Sequence, residues 1–286
     1  MLKDRARIED ELSKQYGIPV TIHDRSWIVT EIIEKERTDL AFNYLKIGEE
    51  VGARRLGPKD YSRSQQLADI ERAIEDPAAF KGMERQLVTE ALVAAKLSRG
   101  LERPRTETDG RFARATRLAE AHGSYRQKLE AQYEQIWTAF WWYNDFELLN
   151  VSYDSFETRA LESTHAKNLE FLGNLNQLLV NSIVHDHMTR EECRYDERTA
   201  RLKQALEVLA RDVTRPNNSL EAETDLQRIA VNQAIMAQDE TALASVCAGY
   251  SAILDKAEGL GEFDADGVIR FIEVIRLAGI AISNRS

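Results

Sequence analysis

The stretch that decides the fold is Leu129-Glu-Ala-Gln-Tyr-Glu-Gln-Ile-Trp-Thr-Ala-Phe-Trp-Trp-Tyr-Asn-Asp-Phe-Glu-Leu-Leu-Asn-Val-Ser-Tyr-Asp-Ser-Phe156. Its first half places large apolar side chains at helical spacing, at Leu129, Tyr133, Ile136, Trp137, Phe140 and Trp141. The second half continues this spacing at Phe146, Leu149, Tyr153 and Phe156, and then at Ala160. Such spacing puts each set on one face of a helix, and Asn144-Asp145 between them is typical of a turn. The stretch predicts two antiparallel helices packed face to face.

Outward from this hairpin, the sequence predicts helices almost without interruption from residue 64 onward, separated by breakers such as Pro77, Pro104 and Pro216. The predicted helices cover residues 64–75, 78–98, 110–121, 125–143, 145–161, 164–186, 190–212, 220–237, 240–257 and 265–282. Their starts are about 20 residues apart, so that helix pairs recur at about 40 residues, a period typical of helical solenoids. The predicted fold class is mainly α, an α-solenoid of antiparallel helix hairpins wound into a right-handed superhelix.

The N-terminal residues differ from the rest of the chain. Residues 1–47 contain the β-branched run Ile18-Pro-Val-Thr-Ile22, which is typical of a short strand, and they are predicted to form a small α/β segment. Residues 48–63 are rich in glycine and include Pro58, which predicts a linker. The helical-repeat domain is expected to cover residues 64–286.

One resemblance lies in the helical part. The stretch Arg111-Phe-Ala-Arg-Ala-Thr-Arg-Leu-Ala-Glu-Ala-His-Gly123, followed by a long helix over Tyr125–Trp142, resembles tetratricopeptide repeats. Trp137 and Phe140 fit the W-x-x-L spacing of that family, whereas Trp141 stands where the family has a small residue. The resemblance implies a superhelix of helix hairpins over residues 64–286.

A second resemblance covers about 45 residues at the N-terminus. Glu11-Leu-Ser-Lys-Gln-Tyr-Gly-Ile-Pro-Val-Thr-Ile-His-Asp-Arg-Ser-Trp-Ile-Val29 resembles the last strand and helix of restriction-endonuclease-like domains of the Mrr type. Such domains joined to helical repeats are similar to parts of bacterial antiphage defence proteins. The family's nuclease centre needs an Asp and a Glu-x-Lys on core strands. Asp10, Glu11 and Lys14 lie on a predicted helix instead, so this segment is expected to be a remnant without that centre.

The net charge of the chain indicates which class of partner it can bind. The sequence has 48 acidic and 38 basic residues, a net charge of −10. Residues 1–120 carry 22 of each sign, so the whole excess lies in residues 121–286. Because an acidic surface repels polyphosphate, nucleic acid is disfavoured as a partner, and the first 120 residues are the better place for it.

Several protein classes are excluded by composition and motif. Two cysteines, Cys193 and Cys247, cannot build a disulfide framework or a Cys-based zinc module. The sequence has no apolar run of membrane-spanning length, and the charged start is unlike a signal peptide. A cytoplasmic protein without membrane contact is expected. Since no P-loop, GxGxxG, HExxH, GxSxG or CxxC motif occurs, no catalytic residue, cofactor or metal is predicted.

The strongest polar candidate is basic and consists of Arg99, Arg103, Arg105, Arg111, Arg114 and Arg117. Arginine suits bidentate contacts with phosphate or carboxylate, so these residues are candidates for contact with an anionic partner. The alternative pairs them with acidic residues of the chain, such as Glu120. Among the aromatic residues, Trp142 lies off the main stripe and is the candidate to reach a groove or the next repeat.

A weaker candidate is His185-Asp186-His187 with Glu191, because His187 and Glu191 are four residues apart and would share a metal on a continuous helix. Thr189 looks like the cap of a new helix, which breaks that spacing. A polar corner between two helices is therefore the favoured interpretation of this segment.

Two functions follow from these observations. The favoured one is a non-catalytic helical-repeat scaffold whose concave surface binds a protein or peptide, in a bacterial defence context if the N-terminal resemblance holds. The alternative is the C-terminal part of a restriction-endonuclease-like nuclease that contacts nucleic acid through Arg99–Arg117. The sequence specifies neither the partner nor the oligomeric state.

Overall fold

The computed structural model describes Lys14, residues 58–76, 78–237 and 239–261, and the positions Phe263, Ala265, Val268, Ile269 and Ile272. The helices in these residues are α1 (Pro58–Glu75), α2 (Glu84–Gly100), α3 (Arg105–His122), α4 (Tyr125–Tyr143), α5 (Phe146–Leu161), α6 (Ala166–Val184), α7 (Tyr195–Ala210), α8 (Pro216–Ala237) and α9 (Glu240–Ala257). The described residues contain no strand, and the mainly α fold class is confirmed for them. None of these helices combines the length and the apolar composition that crossing a membrane requires.

Part of the predicted organisation lies outside the described residues. This is true of the α/β segment over 1–47, apart from Lys14, of residues 48–57 of the linker, and of most of the helix predicted over 265–282. The linker prediction is wrong for residues 58–63, because α1 begins at Pro58. A proline fits the first turn of a helix, since the N–H that it lacks would have no acceptor within the helix there.

The decisive hairpin has the predicted form because its helix ends are capped. Gln127 donates its backbone N–H to Ser124 Oγ at 3.3 Å, and Ser124 donates its own to Gln127 Oε1 at 2.9 Å, which is a capping box at the start of α4. Asn144 ends α4 in the left-handed region with a φ of 53°. Asp145 caps α5 by accepting the Leu148 N–H at 3.1 Å. The predicted turn at Asn144-Asp145 is confirmed.

Four other helix starts lie four or more residues from the prediction, among them that of α8, which begins at Pro216 rather than 220. α2 begins at Glu84 rather than 78, because residues 78–83 form turns. α3 begins at Arg105 rather than 110, directly after Pro104. α7 begins at Tyr195 rather than 190, after a run of turns. α2 and α7 begin late because turns replace their predicted first residues, whereas α3 and α8 begin early, directly at or after a proline, which is compatible with a first helical turn.

Helices of even number and helices of odd number pack in two different ways. Every helix packs against the next one along the chain, and α2, α4, α6 and α8 also contact one another in that order. We call these four helices the inner row. Helices α1, α3, α5 and α7, the outer row, make at most marginal backbone contact with one another. Helices α2 to α6 begin at Glu84, Arg105, Tyr125, Phe146 and Ala166, so that successive starts lie 20 or 21 residues apart.

The largest apolar cluster extends from α4 to α8 and contains both predicted stripes. Leu129, Tyr133, Ile136 and Phe140 are buried on α4, as are Leu149, Tyr153, Phe156 and Ala160 on α5. Trp137 and Trp141 are only partly buried and pack against this cluster from its edge. Because burial of one large apolar side chain stabilises a fold by about 1.5–3 kcal/mol, these side chains hold the hairpin against the helices from α6 to α8.

Candidate functional site

The candidate arginines lie on α2, on α3 and on the segment between them. Arg99 donates from Nη1 to Glu134 Oε2 at 2.7 Å and to Thr138 Oγ1 at 3.1 Å, both on α4. Its guanidinium carbon lies 4.7 Å from the centre of the Trp142 ring, within the range of a cation–π contact. Trp142 is thus held against the neighbouring inner-row helix, and its contact with a partner stays a prediction.

Arg111 and Arg114 share one carboxylate on the outer row. Arg111 Nε donates to Glu71 Oε1 at 2.9 Å, and Arg114 Nη2 donates to the same oxygen at 2.6 Å. Partial burial raises the pKa of Glu71, but the hydrogen bonds from Arg114 and Arg111 outweigh it and hold that pKa below its ordinary value. The two arginines therefore join α3 to α1, with Glu71 as their partner rather than the Glu120 that the sequence suggested.

The remaining three candidates have different surroundings. Arg105 donates through Nε to Asp109 Oδ2 at 3.2 Å, and its Nη2 donates to Asp145 in the turn between α4 and α5. Arg103 donates to Ser64 Oγ at 3.2 Å. Among the described residues, Arg103 and Arg117 have no carboxylate partner, and both are exposed. Most of the charge in this basic stretch is neutralised by residues of the chain itself.

These ion pairs belong to a pattern that continues along the outer row. Hydrogen bonds from arginine to a carboxylate 39 to 44 residues away join Arg111 and Arg114 to Glu71, Arg105 to Asp145, Arg159 to Glu120, Arg194 and Arg198 to Asp154, and Arg201 to Glu157. This separation equals two helix lengths with their turns. The arginines therefore connect each outer-row helix to the next one of that row.

Arg198 on α7 is the most buried member of this pattern, with a side chain only 3% exposed. Its Nη1 donates to Asn150 Oδ1 at 2.6 Å and to the carbonyl oxygen of Cys193 at 2.9 Å, and its Nη2 donates to the carbonyl oxygen of Asn150 at 3.1 Å. Its Nε donates to Asp154 Oδ1 at 3.1 Å, and the guanidinium covers the Tyr153 ring. Because its guanidinium is buried and bonded within the chain, Arg198 stabilises the packing of α7 on α5 and is not available to a ligand.

The histidine segment follows α6 and is exposed. His187 stacks on Phe146, with 4.1 Å between ring centres and 12° between planes. Residues 189–194 form turns in which Thr189 N–H and Oγ1 donate to Glu192 Oε2, so the continuous helix that a shared metal needs is missing. In the part of the chain that the structure describes, no three His, Cys, Asp or Glu residues are grouped as metal ligands would be. The predicted polar corner fits this segment.

Four aromatic side chains of α4 and α6 contact one another on the inner row, and we call the surface around them the inner face. They are Tyr133, Trp137, Trp141 and Phe171. Tyr133 lies 4.9 Å from Phe171 of α6 and 5.6 Å from Trp137, measured between ring centres, and Trp137 lies 5.8 Å from Trp141. The guanidinium of Arg126 covers Phe171 at 4.9 Å. Sequence reasoning did not select Phe171, because its aromatic partners are on another helix. The inner face offers apolar rings beside charged groups, a mixture typical of protein-binding surfaces.

A cleft of about 540 Å³ opens where the turn between α4 and α5 meets the segment after α6. Its walls include Arg105, Tyr143, Glu147, His187 and Glu192. A volume of this size is in the range of ligand pockets. The sequence singled out Arg105 and His187 separately, but nothing in it indicated that they share one cleft, because three distant segments have to fold together to build it.

The described residues therefore present two candidate surfaces, the inner face and the cleft, while the arginine stretch is largely used in internal pairing. Comparison with protein-family models, with curated proteins and with solved structures found no match to this chain.

Proposed function

We propose that the chain is a non-catalytic helical-repeat scaffold that binds a protein or peptide along its inner face. The observation that carries the proposal is the packing of α2, α4, α6 and α8 on one another, while the outer-row helices are joined mainly through long side chains. If antiparallel hairpins stack in this way, the row with the closer helices lies on the concave side of the array. The inner face is then the concave surface.

The spacing of the outer-row ion pairs supports the proposed α-solenoid with tetratricopeptide-like hairpins. Their separations of 39 to 44 residues match a unit of two helices. In a solenoid each unit contacts only its neighbours, so contacts recur at the length of one unit. The period lengthens after α6, where Arg228 of α8 donates to Asn174 of α6 across 54 residues at 2.6 Å. The turns at 189–194 account for the extra length.

The chemistry of the inner face supports a polypeptide as the partner. Trp137, Trp141 and Phe171 provide rigid apolar area, and Glu134 and Arg126 provide charge beside it. Aromatic residues ringed by polar ones are enriched where proteins bind one another. A polyphosphate chain would need uncompensated basic residues, whereas Lys96 and Arg99 on this face are paired with Glu134 at 3.0 and 2.7 Å.

Site-specific photo-crosslinking in the native cells tests the proposal. A benzophenone amino acid replaces Gln177, on the partly exposed side of α6, and the matched control carries it at Gln204, which is exposed on α7 of the outer row. We expect one discrete protein adduct from position 177 and none from position 204. The captured protein should then bind the purified chain in calorimetry. Adducts of equal yield from both positions would contradict an inner-face partner.

An anisotropy titration with DNA and RNA tests the nuclease-related alternative. Arg117→Gln is the cleanest variant, because Arg117 has no carboxylate partner among the described residues and its replacement breaks no ion pair there. We expect negligible binding at roughly physiological salt, because the net charge of −10 repels polyphosphate and most arginines of the basic stretch are paired within the chain. A salt-sensitive complex whose affinity falls in Arg117→Gln would favour the nucleic-acid function over the scaffold.

A further inference from the structure

The lining of the cleft between the α4–α5 turn and the segment after α6 includes charged side chains that form hydrogen bonds within the chain and at least one that does not. Arg105 is bonded to Asp109 and to Asp145, and Asp145 also caps α5 through Leu148. These charges are used inside the chain. Glu147 is exposed and has no hydrogen-bond partner among the described residues, so its carboxylate is open to a ligand.

Glu192 supplies a second carboxylate to the lining, from the segment after α6. Both hydrogen bonds from Thr189, at 2.7 and 2.9 Å, end on Oε2 of this residue. The Glu192 side chain is exposed, so its other oxygen faces the cleft or solvent. The lining therefore carries three carboxylates, with Asp145, against the single guanidinium of Arg105. This excess of negative charge attracts a cation and repels an anion.

Helix ends and rings in the cleft add to this preference. α4 ends at Tyr143, which lines the cleft, so the partly negative carbonyl groups of this helix C-terminus lie beside it. Two helix N-termini also meet the lining. That of α5 is capped by Asp145, and that of α3 begins with Arg105, whose hydrogen bonds go to Asp109 and Asp145. The stacked Phe146 and His187 rings form an apolar wall on which the stem of a long basic side chain can pack.

We propose that the cleft binds the basic side chain, arginine or lysine, of a polypeptide segment. Glu147 and Glu192 accept its hydrogen bonds, and the Phe146–His187 stack holds its aliphatic stem. The inference rests on the proposed function in one respect, because it makes the scaffold's partner a basic segment. The cleft is distinct from the inner face, and a partner that occupies both would gain affinity from two linked contacts.

Nuclear magnetic resonance titration of the full chain tests the cleft without knowledge of the partner. The probes are N-acetyl-arginine methylamide, its uncharged isostere N-acetyl-citrulline methylamide and N-acetyl-glutamate methylamide. We expect the arginine probe to shift resonances of Glu147, His187 and Glu192, the citrulline probe to bind at least several-fold more weakly, and the glutamate probe to leave these resonances unchanged. Equal binding of arginine and citrulline, or preferential binding of glutamate, would overturn the proposal.

A pair of glutamate variants locates the interaction. Glu147→Gln removes the open carboxylate and should weaken binding of the arginine probe about two- to fivefold, the range for one exposed ion pair. Glu191→Gln removes the same charge from an exposed neighbour of Glu192 outside the lining and should leave affinity unchanged. Equal losses of affinity in both variants would show that the probe responds only to the overall charge, and the proposed site would be wrong. The crosslinking at position 177 does not involve these residues, so the two proposals can fail separately.

Discussion

Replacement of Arg198 by methionine tests whether the outer-row arginines hold the fold together. Methionine keeps most of the length of the stem, so the change removes the guanidinium and leaves little cavity. Three acceptors then lose their donor, namely Asn150 Oδ1 and the carbonyl oxygens of Asn150 and Cys193. Asp154 keeps its bond to Arg194 and is half exposed, so its charge is not stranded.

The expected loss of stability follows from the hydrogen bonds that the substitution removes. A buried acceptor that loses its partner costs about 1–3 kcal/mol. Since Arg198 serves three neutral acceptors whose penalties overlap, we expect Arg198→Met to lower the free energy of unfolding by about 2–4 kcal/mol. Loss of the contact with the Tyr153 ring, at 4.5 Å, acts in the same direction.

Arg194→Met provides the matched control. Arg194 is four residues earlier and also bonds Asp154, but its side chain is 45% exposed and its partners are about half exposed. An exposed ion pair contributes about 0–1 kcal/mol, so the control should lose no more than that. Urea denaturation followed by far-ultraviolet circular dichroism measures both variants against the wild type. The reasoning is refuted if Arg198→Met loses no more stability than Arg194→Met at unchanged denaturant slope.

Two further substitutions test local packing and buried charge. A Cβ at Gly123 would lie 2.6 Å from the carbonyl oxygen of Ala119, so Gly123→Ala should destabilise the chain by about 1–3 kcal/mol. Gly110→Ala in the middle of α3 meets nothing within 4 Å and should stabilise by about 0.5–1 kcal/mol; thermal melting curves that rank the two variants the other way would contradict this. Burial raises the pKa of Asp225 to about 6 despite the nearby Arg228, so the folded chain binds this proton more readily than the unfolded chain. The contribution of this proton to stability is fully present below about pH 4 and is lost as the pH rises through about 6. The difference in unfolding free energy between wild type and Asp225→Asn should therefore move in favour of the wild type on acidification, and a pH-independent difference would count against it.

The hairpin of α4 and α5 could be predicted from the sequence because everything that specifies it is local. Its apolar spacing, the Ser124 cap and the Asn144-Asp145 turn lie within one stretch of chain. Propensity and capping act over a few residues, so they are visible in a single sequence. The start of α1 at Pro58 was missed because glycines before it favoured a linker, and proline is compatible with both a loop and a first helical turn.

The ion pairs between outer-row helices could not be predicted, because each joins residues that are distant in sequence. Arg111 bonds Glu107 of its own helix at 3.3 Å, but it also bonds Glu71, which lies 40 residues earlier on α1. Once the helix-pair period is recognised, however, it becomes a usable signal. A search for carboxylates about one period before each arginine would have selected Glu71 for Arg111 and Asp154 for Arg194.

The pairing of arginines within the chain also determines which charges remain available to a binding partner. Residues 121–286 hold the whole net charge of −10, and Arg159, Arg194, Arg198, Arg201 and Arg228 in this part all donate to acceptors of the same chain. Basic residues that are already paired cannot attract an anionic partner strongly, whereas the unpaired carboxylates that remain still attract cations. The acidic excess therefore favours a cationic partner over an anionic one, as the proposed basic segment requires. The open carboxylate of Glu147 in the cleft is one of the groups that would attract it.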